Sequence, residues 1–508
     1  MMLMTHIPYL SLLIWLPILS AIPIAIFNGQ NRVKVSLWIA LLITVVCLAL
    51  SVYLYVIFDT TNGLMQFTEQ YAWIPLLKIN YSVGVDGISL PLITLSNFTT
   101  LVIVLAAWNM VEKRVAAYLA AFMVMQGTVV GVFASLDAML FYFFWEAMLI
   151  PMYLSIGIWG MKNRIYASTK FFLYTFFGSA LMLAVLIYLR MEAGSFDIQS
   201  FYQLQIPLST QIWIFFGFFL AFAIKIPMWP LHTWLPDAHT EAPTGGSVIL
   251  AALMLKMGGY GFLRFSLPIV PDACQSLDWF MIALSLFAIV YIGFIAIVQK
   301  DMKKLIAYSS VAHMGFVTLG SFMIYVIIKH TGSTAEAYMS LEGAMVQMIS
   351  HAFGSGAMFL AFGVIYLQIH TRNIKDFGGI AKVMPVFTGF FVLYCMSNVG
   401  LPGTSGFVGE FMIILSTFKA TFWATCLAAL TLIVGAVYTL RMVNRVYYGP
   451  ILTDAVRGLK DITWLTKFIF MLLTIAIIVI GVYPEILLRE FHSSIKHLLD
   501  LSLQSRLP

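Results

Sequence analysis

The sequence predicts an all-α integral membrane protein of about 14 transmembrane helices, with two inverted five-helix repeats and two broken helices. Three observations predict it. Of 508 residues, 61% are hydrophobic and 10% are charged, with a mean hydropathy of +0.94, and no water-soluble domain has that balance. Apolar runs of about 20 residues, the length that crosses a bilayer, recur along the whole chain. Two of the runs are interrupted by proline, at Lys225-Ile226-Pro227 and at Gly400-Leu401-Pro402-Gly403. Proline removes a backbone donor and disfavours helix in the residue before it. A break at membrane depth is tolerated only inside protein or beside water, and paired broken helices mark the ion sites of many transporters.

In order, the apolar windows are 8–27, 35–57, 88–108, 115–134, 138–158, 166–189, 212–226, 244–265, 278–299, 304–327, 343–369, 384–416 (interrupted), 421–446 and 464–484. No positive charge precedes the first, so it reads as a retained helix rather than a cleaved signal, and no Arg-rich leader is expected. Between the second and third windows, residues 66–88 are long enough for structure of their own. Alternation over Ile79-Asn80-Tyr81-Ser82-Val83 predicts a strand, and Asp86-Gly87 a turn, so a small external hairpin is expected there. The breaks fall in the fourth window of each of two successive five-window blocks. An odd number of crossings per block turns the second copy upside down, the arrangement of inverted-repeat transporters. The expected division is 1–110, 111–270, 271–450 and 451–508: three N-terminal helices, the two repeats, and the last helix with its tail.

Basic residues set the orientation. Alternate loops carry Arg32 and Lys34; Lys113 and Arg114; Lys162, Arg164 and Lys170; Lys300, Lys303 and Lys304; Arg372, Lys375 and Lys382; and Arg441, Arg445, Arg457, Lys460 and Lys467. The other side holds Lys78, Arg190, Lys329, Lys419 and the tail residues Arg489, Lys496 and Arg506. The first set is therefore cytoplasmic and both termini lie outside, as an even number of crossings requires.

Several function classes fall away. The four cysteines, Cys47, Cys274, Cys395 and Cys426, are scattered, and no Cys/His spacing suits a metal or iron–sulfur centre. No glycine-rich loop opens a nucleotide fold. The 29 methionines read as packing residues rather than a metal path. The net charge of +6 orients the chain in the bilayer and does not point to nucleic acid. No substrate pocket is established by the sequence.

What remains is charge where none belongs. Glu146, Lys225, Lys256 and Glu410 sit within apolar windows. Lys256 lies about 18 Å along its helix at 1.5 Å per residue. Each costs about 2.5–3.5 kcal/mol at a helix centre. Four together cost about 10–14 kcal/mol, as much as the whole stability of a domain. Leucine at each position would avoid that. An inert ion pair between Glu146 and Lys225 is one reading, but buried pairs rarely outperform apolar packing. The other is a proton relay, in which separating a mutually stabilising pair releases or captures a proton. His313 and His351 also fall inside windows, and histidine titrates near neutrality; packed, hydrogen-bonded rings are the plain alternative. His232 and His239, in the stretch after Lys225, read as capping or loop-packing groups or as a route of proton uptake. Lys304 reads as a helix-end charge with a lesser claim on the relay.

At these residues a family resemblance appears. FFWEAMLIPMY at 143–153, KIPMWPLHTWLPDAHTEAPTGGSVILAALMLK at 225–256, QKDMKKLIAYSSVAHMGF at 299–316 and GLPGTSGFVGEF at 400–411 resemble the antiporter-like subunits of NADH–quinone oxidoreductase, bacterial respiratory complex I, over essentially the whole chain. The likeness is greatest to the chain M branch and its mitochondrial-encoded counterpart. Related branches generally carry lysine where this chain has Glu410, and the chain L branch has a long lateral helix that the 24 or so residues after the last window do not suggest. The resemblance implies one proton-pumping unit of the membrane arm, with Glu146 and Lys225 as the coupling pair and Lys256 as central relay. His313 and His351 would lead on to Glu410 near the exit. It implies no cofactor in this chain, with NADH, FMN, iron–sulfur clusters and quinone used by other subunits. It further implies chains L and N as neighbours and the bacterial inner membrane as location. A subunit of a sodium/proton antiporter or membrane hydrogenase is the alternative, and an inert membrane scaffold a third.

Overall fold

The computed structural model describes residues 7–26 and 32–508. Thirteen of the described helices are long and apolar enough to cross a membrane: α1 (Tyr9–Ile26), α2 (Val33–Ile57), α3 (Ser89–Met110), α4 (Val115–Ala134), α5 (Ala138–Trp159), α6 (Arg164–Ala193), α7 (Leu208–Lys225), α9 (Thr244–Ile269), α10 (Asp278–Ile297), α11 (Met302–Thr331), α12 (Thr334–Ile369), α15 (Phe422–Val446) and α16 (Trp464–Val482). The short helix α8 (Trp234–Glu241) continues the path of α7 beyond its break. Two shorter apolar helices, α13 (Pro385–Val399) and α14 (Ser405–Phe418), flank the second break. Span after span, the apolar windows agree with these helices, mostly to within a few residues; the longest shortfall is at α12, which starts nine residues before its window. Phe27, the last residue of the first window, lies outside the described residues.

The expected hairpin is present. β1 (Gln66–Ile74) pairs antiparallel with β2 (Ile79–Val85), Tyr71 opposite Tyr81. The turn between them closes on Lys78 in the left-handed region (φ 55°).

Burial separates two kinds of helix. The best apolar window of α9 is 100% buried and that of α11 89%, against 33–39% for α1, α2, α6, α10 and α16. Protein surrounds the first group, while most of each window in the second faces outward from the fold. The two blocks meet where α9 packs on α12 and α8 on α11, while α12 also packs on α14. Interior helices can carry polar groups that a lipid-facing helix cannot.

Each break has a local cause and a local repair. After Lys225 the chain leaves the helix at Pro227, and the indole Nε1 of Trp234 donates to the freed carbonyl of Ile224 at 2.8 Å. At the second break Gly400 and Gly403 take φ of +81° and +88°, values that favour glycine. On the basic-loop face, Arg372 reaches Glu241 at 3.4 Å and Asp301 at 3.2 Å, and Lys170 reaches Asp237 at 2.7 Å. These contacts tie α8 to the ends of its neighbours.

One element had no counterpart in the sequence expectations. After the last span, α17 (Glu485–Leu503) lies across the face opposite the basic loops. Its apolar side, Leu487, Phe491, Ile495 and Leu498, is buried. Ser494 Oγ accepts from the Gly87 amide at 2.8 Å.

Candidate functional site

The interior helices bring most of the expected ionisable residues into one line. Lys256 is wholly buried on α9, between two wide, π-type turns at Leu250–Met254 and Phe262–Ser266. Such turns occur often at functional sites. Its Nζ donates to the Ala251 carbonyl, within the first wide turn, at 2.5 Å. It also lies 2.6 Å from His351 Nδ1 on α12. The His351 and His313 rings are 6.0 Å apart between centroids. His313 Nδ1 on α11 then lies 2.6 Å from Glu410 Oε1 on α14, just past the second break. Four side chains from four helices thus form a path of two short hydrogen bonds joined by one gap.

The gap is polar. His313 Nε2, His351 Nε2 and Ser350 Oγ are buried without a protein partner. They line a cavity of about 10 Å³ with Gln347, Ser355 and Asn398, near the volume one water needs. A single bridging water would complete a hydrogen-bonded path between the rings.

Two close approaches set this geometry. A Cβ on Gly258 would sit 2.7 Å from the Ile226 nitrogen and 2.7 Å from the Phe222 carbonyl oxygen. The bare glycine therefore lets α9 rest directly on the end of α7. A Cβ on Gly409 would sit 2.6 Å from the Gln347 nitrogen, so α14 lies backbone to backbone against α12, with Glu410 turned into the interior.

The other pair departs from expectation. Glu146 on α5 and Lys225 at the end of α7 make no ion pair within 4 Å; Glu146 Oε1 and Lys225 Nζ are both buried without a hydrogen-bond partner. Their charges do interact, and Lys225 Nζ lies 4.9 Å from the ring centroid of Trp145, beside Glu146 in sequence. The expected direct pair is corrected to a loose one, with a cation–π contact where a carboxylate contact was foreseen. Nor is Glu146 as deep as foreseen, being half-buried where Lys225 is 1% exposed. The reason is rotational: α5 packs only one side against protein.

On the basic-loop side, the lysine that turns inward is Lys303, not Lys304. Lys303 is 2% exposed and donates to the Ala242 carbonyl at 2.6 Å, while Lys304 is half-buried. The burial follows helical phase: Lys303 lies seven residues before buried Ser310, on the same face, and Lys304 four before half-buried Tyr308. His239 is fully buried and stacks on Phe359 at 4.3 Å, with neither ring nitrogen partnered, so it caps nothing. It lies within electrostatic range of both Lys303 and Lys256. His232 packs near Tyr308 at the break. Gln347 was missed altogether: its Nε2 donates to Glu410 Oε1 at 3.0 Å. Only its position four residues before His351 hinted at it.

Among the described residues no three of His, Cys, Asp and Glu gather as metal ligands. What the line can do chemically is exchange protons between a lysine, two imidazoles and a carboxylate without redox chemistry. A multi-pass bundle with two broken helices and an interior line of titratable groups defines an ion-translocating membrane protein. Its family follows from comparison: the chain belongs to the NADH:quinone oxidoreductase/Mrp antiporter transmembrane family, whose model matches residues 135–435. It is 44% identical over 507 residues to NADH-quinone oxidoreductase subunit M of Rhodobacter capsulatus, covering 97% of this chain and 96% of that one. A chain of respiratory complex I from Thermus thermophilus superposes with a TM-score of 0.85 at 28% identity, over 96% of this chain and 100% of that one. A chain of the Mrp complex from a Dietzia species superposes with a TM-score of 0.84 at 19% identity, over 99% of each, a likeness of fold.

Proposed function

We propose that the chain is a proton-translocating membrane-arm subunit of an NADH–quinone oxidoreductase, the counterpart of the subunit M proteins it resembles. The observation that carries this is the buried path Lys256–His351–His313–Glu410, closed by two 2.6 Å contacts. Electron transfer from NADH through FMN and iron–sulfur clusters to quinone belongs to other subunits. Lys256 receives a proton from the basic-loop side through the His239 and Lys303 region, passes it to His351, and Glu410 delivers it past the second break. Glu146 and Lys225 stand beside this path as the coupling pair, free to tighten or loosen because Glu146 Oε1 and Lys225 Nζ have no hydrogen-bond partner. The neighbours are chains L and N. The location is the bacterial inner membrane, with both termini on the outer side.

The division into 111–270 and 271–450 as inverted repeats is part of the same reading. It is supported by a matched pair of caps. Asp137 accepts from the amides two and three residues on at the start of α5, and Asp301 does the same at the start of α11. Each forms a single antiparallel backbone bridge, Asp137 to Asp197 and Asp301 to Asn373. The first lies on the face opposite the basic loops, the second among them, as inversion requires.

The test is NADH-driven acidification of inverted membrane vesicles carrying Glu410→Gln, with assembly checked alongside. Loss of acidification in an assembled complex supports the reading; acidification at the wild-type rate refutes it. The likeness to the Mrp chain favours a second reading, sodium/proton exchange without redox. Exchange driven by a sodium gradient in the absence of NADH would select it.

A further inference from the structure

We propose that His492 is a positioning residue for the proton path: it clasps the tail helix α17 to α12 and so holds α12 in register with α9, a role that rests on the reading of Lys256 and His351 as successive members of that path. The starting observation is a carboxylate that the path does not use. Glu342 lies on α12 nine residues before His351, about two and a half turns and about 14 Å along the helix, so it faces the opposite side. It is 5% exposed, and a carboxylate that deep is costly without a partner. The partner comes from α17. His492 Nδ1 donates to Glu342 Oε1 at 2.5 Å, and Tyr338 Oη, one turn away on α12, lies 2.5 Å from the same nitrogen. On the other side of the ring, His492 Nε2 faces Glu485 at 3.8 Å.

The far end of α17 is fastened to α9. Residues 267–269 of α9 pack on it. Just past α17, Ser505 Oγ and the Arg506 amide each donate to Asp272 at 2.8 Å, three residues beyond the end of α9. From His492 to Leu503 the tail helix runs about 16 Å, so it straps the end of α9 to the matching part of α12. At the basic-loop end no strap is needed, because the two helices touch directly. Gly363 of α12 leaves no room for a Cβ against Thr244 at the start of α9. Residues 250–254 pack on α12 as well, and a Cβ on Gly259 would sit 2.6 Å from Met348 Sδ. The 2.6 Å contact between Lys256 and His351 therefore lies between a direct joint on one side and the strap on the other. Two rods joined at one end can pivot, and the strap removes that freedom. Proton transfer needs it removed, since a misplacement of about 1 Å between reacting groups costs about 100-fold in rate.

The experiment uses the chain in its native membrane assembly. His492→Leu removes the donor, and His492→Asn keeps an N–H close to the place of Nδ1. The double variant Glu342→Leu with His492→Leu removes both partners, so neither is left buried and unpaired. NADH-driven acidification per assembled complex, in light and in heavy water, and hydrogen exchange of residues 485–495 are measured for each. His492→Leu and the double variant are expected to acidify about 10-fold more slowly, with a larger solvent isotope effect because proton transfer has become limiting. His492→Asn is expected to acidify near the wild-type rate. A role in folding alone lowers the amount of assembled complex and leaves the rate per complex and the isotope effect unchanged; that outcome overturns the proposal. So does equal impairment in His492→Asn and His492→Leu, or failure of both His492→Leu and the double variant to assemble. Exchange reads the clasp apart from pumping: it is expected to quicken over 485–495 in His492→Leu, and unchanged exchange overturns the clasp. Should wild type itself not acidify, the pumping reading fails, and exchange alone then decides the clasp.

Discussion

Replacing Lys256 with methionine separates a relay from a structural ion with little ambiguity. Methionine matches the lysine stem in length and brings no charge. It removes the donor to the Ala251 carbonyl and the 2.6 Å contact to His351 Nδ1. Each group left unsatisfied in the interior costs about 1–3 kcal/mol, so the loss is about 2–6 kcal/mol. Against it stands the burial of the ammonium itself, about 2.5–3.5 kcal/mol at a helix centre, which methionine avoids. The two sums nearly cancel, so Lys256→Met is expected to assemble with stability within a few kcal/mol of wild type. Proton transfer is different, because no other titratable side chain within hydrogen-bonding distance of His351 Nδ1 can replace the lysine. Removing a positioned acid–base group slows transfer by about 100-fold or more. The assay is NADH-driven acidification of inverted vesicles, with the amount of assembled complex measured on the same membranes. Acidification above half the wild-type rate would refute the path. Failure to assemble would refute the cancellation, and with it the view that Lys256 is retained for function rather than fold.

Other outcomes follow from the same geometry. Glu146→Gln is expected to assemble, because Glu146 holds no ion pair, and to lose quinone reduction and pumping together; wild-type values of both would remove Glu146 from coupling. Gln347→Leu takes one hydrogen bond from the Glu410 carboxylate, about 1.5 kcal/mol and hence about 10-fold in acidification rate. An unchanged rate would reduce Gln347 to packing. Gly258→Ala places a methyl 2.7 Å from backbone atoms of α7, so the assembled complex should lose about 1–3 kcal/mol of stability. A lowered melting temperature by tryptophan fluorescence checks this, and an unchanged one would show that α9 and α7 part freely.

The amphipathic tail helix shows how a legible signal is passed over. Leu487, Phe491, Ile495, Leu498 and Leu499 recur at helical spacing and are all buried, a pattern present in the sequence. It drew no expectation because the search was tuned to runs long and apolar enough to span a bilayer.

By itself the sequence determined the apolar segments, the two breaks and the ionisable residues inside them. Each of these follows from free energies that act within one stretch of chain: transfer of about 20 residues into hydrocarbon and the missing donor of proline. Only the tertiary structure decided which charges meet. Lys256 and His351 are 95 residues apart in sequence, and His313 and Glu410 are 97. Glu146 and Lys225, paired in expectation, make no ion pair within 4 Å. Contact across helices depends on rotation and axial register to within an ångström or so. Those are set by backbone approaches such as Gly258 on Ile226 and Gly409 on Gln347, where two distant segments must each leave room for the other. No one segment carries that information alone.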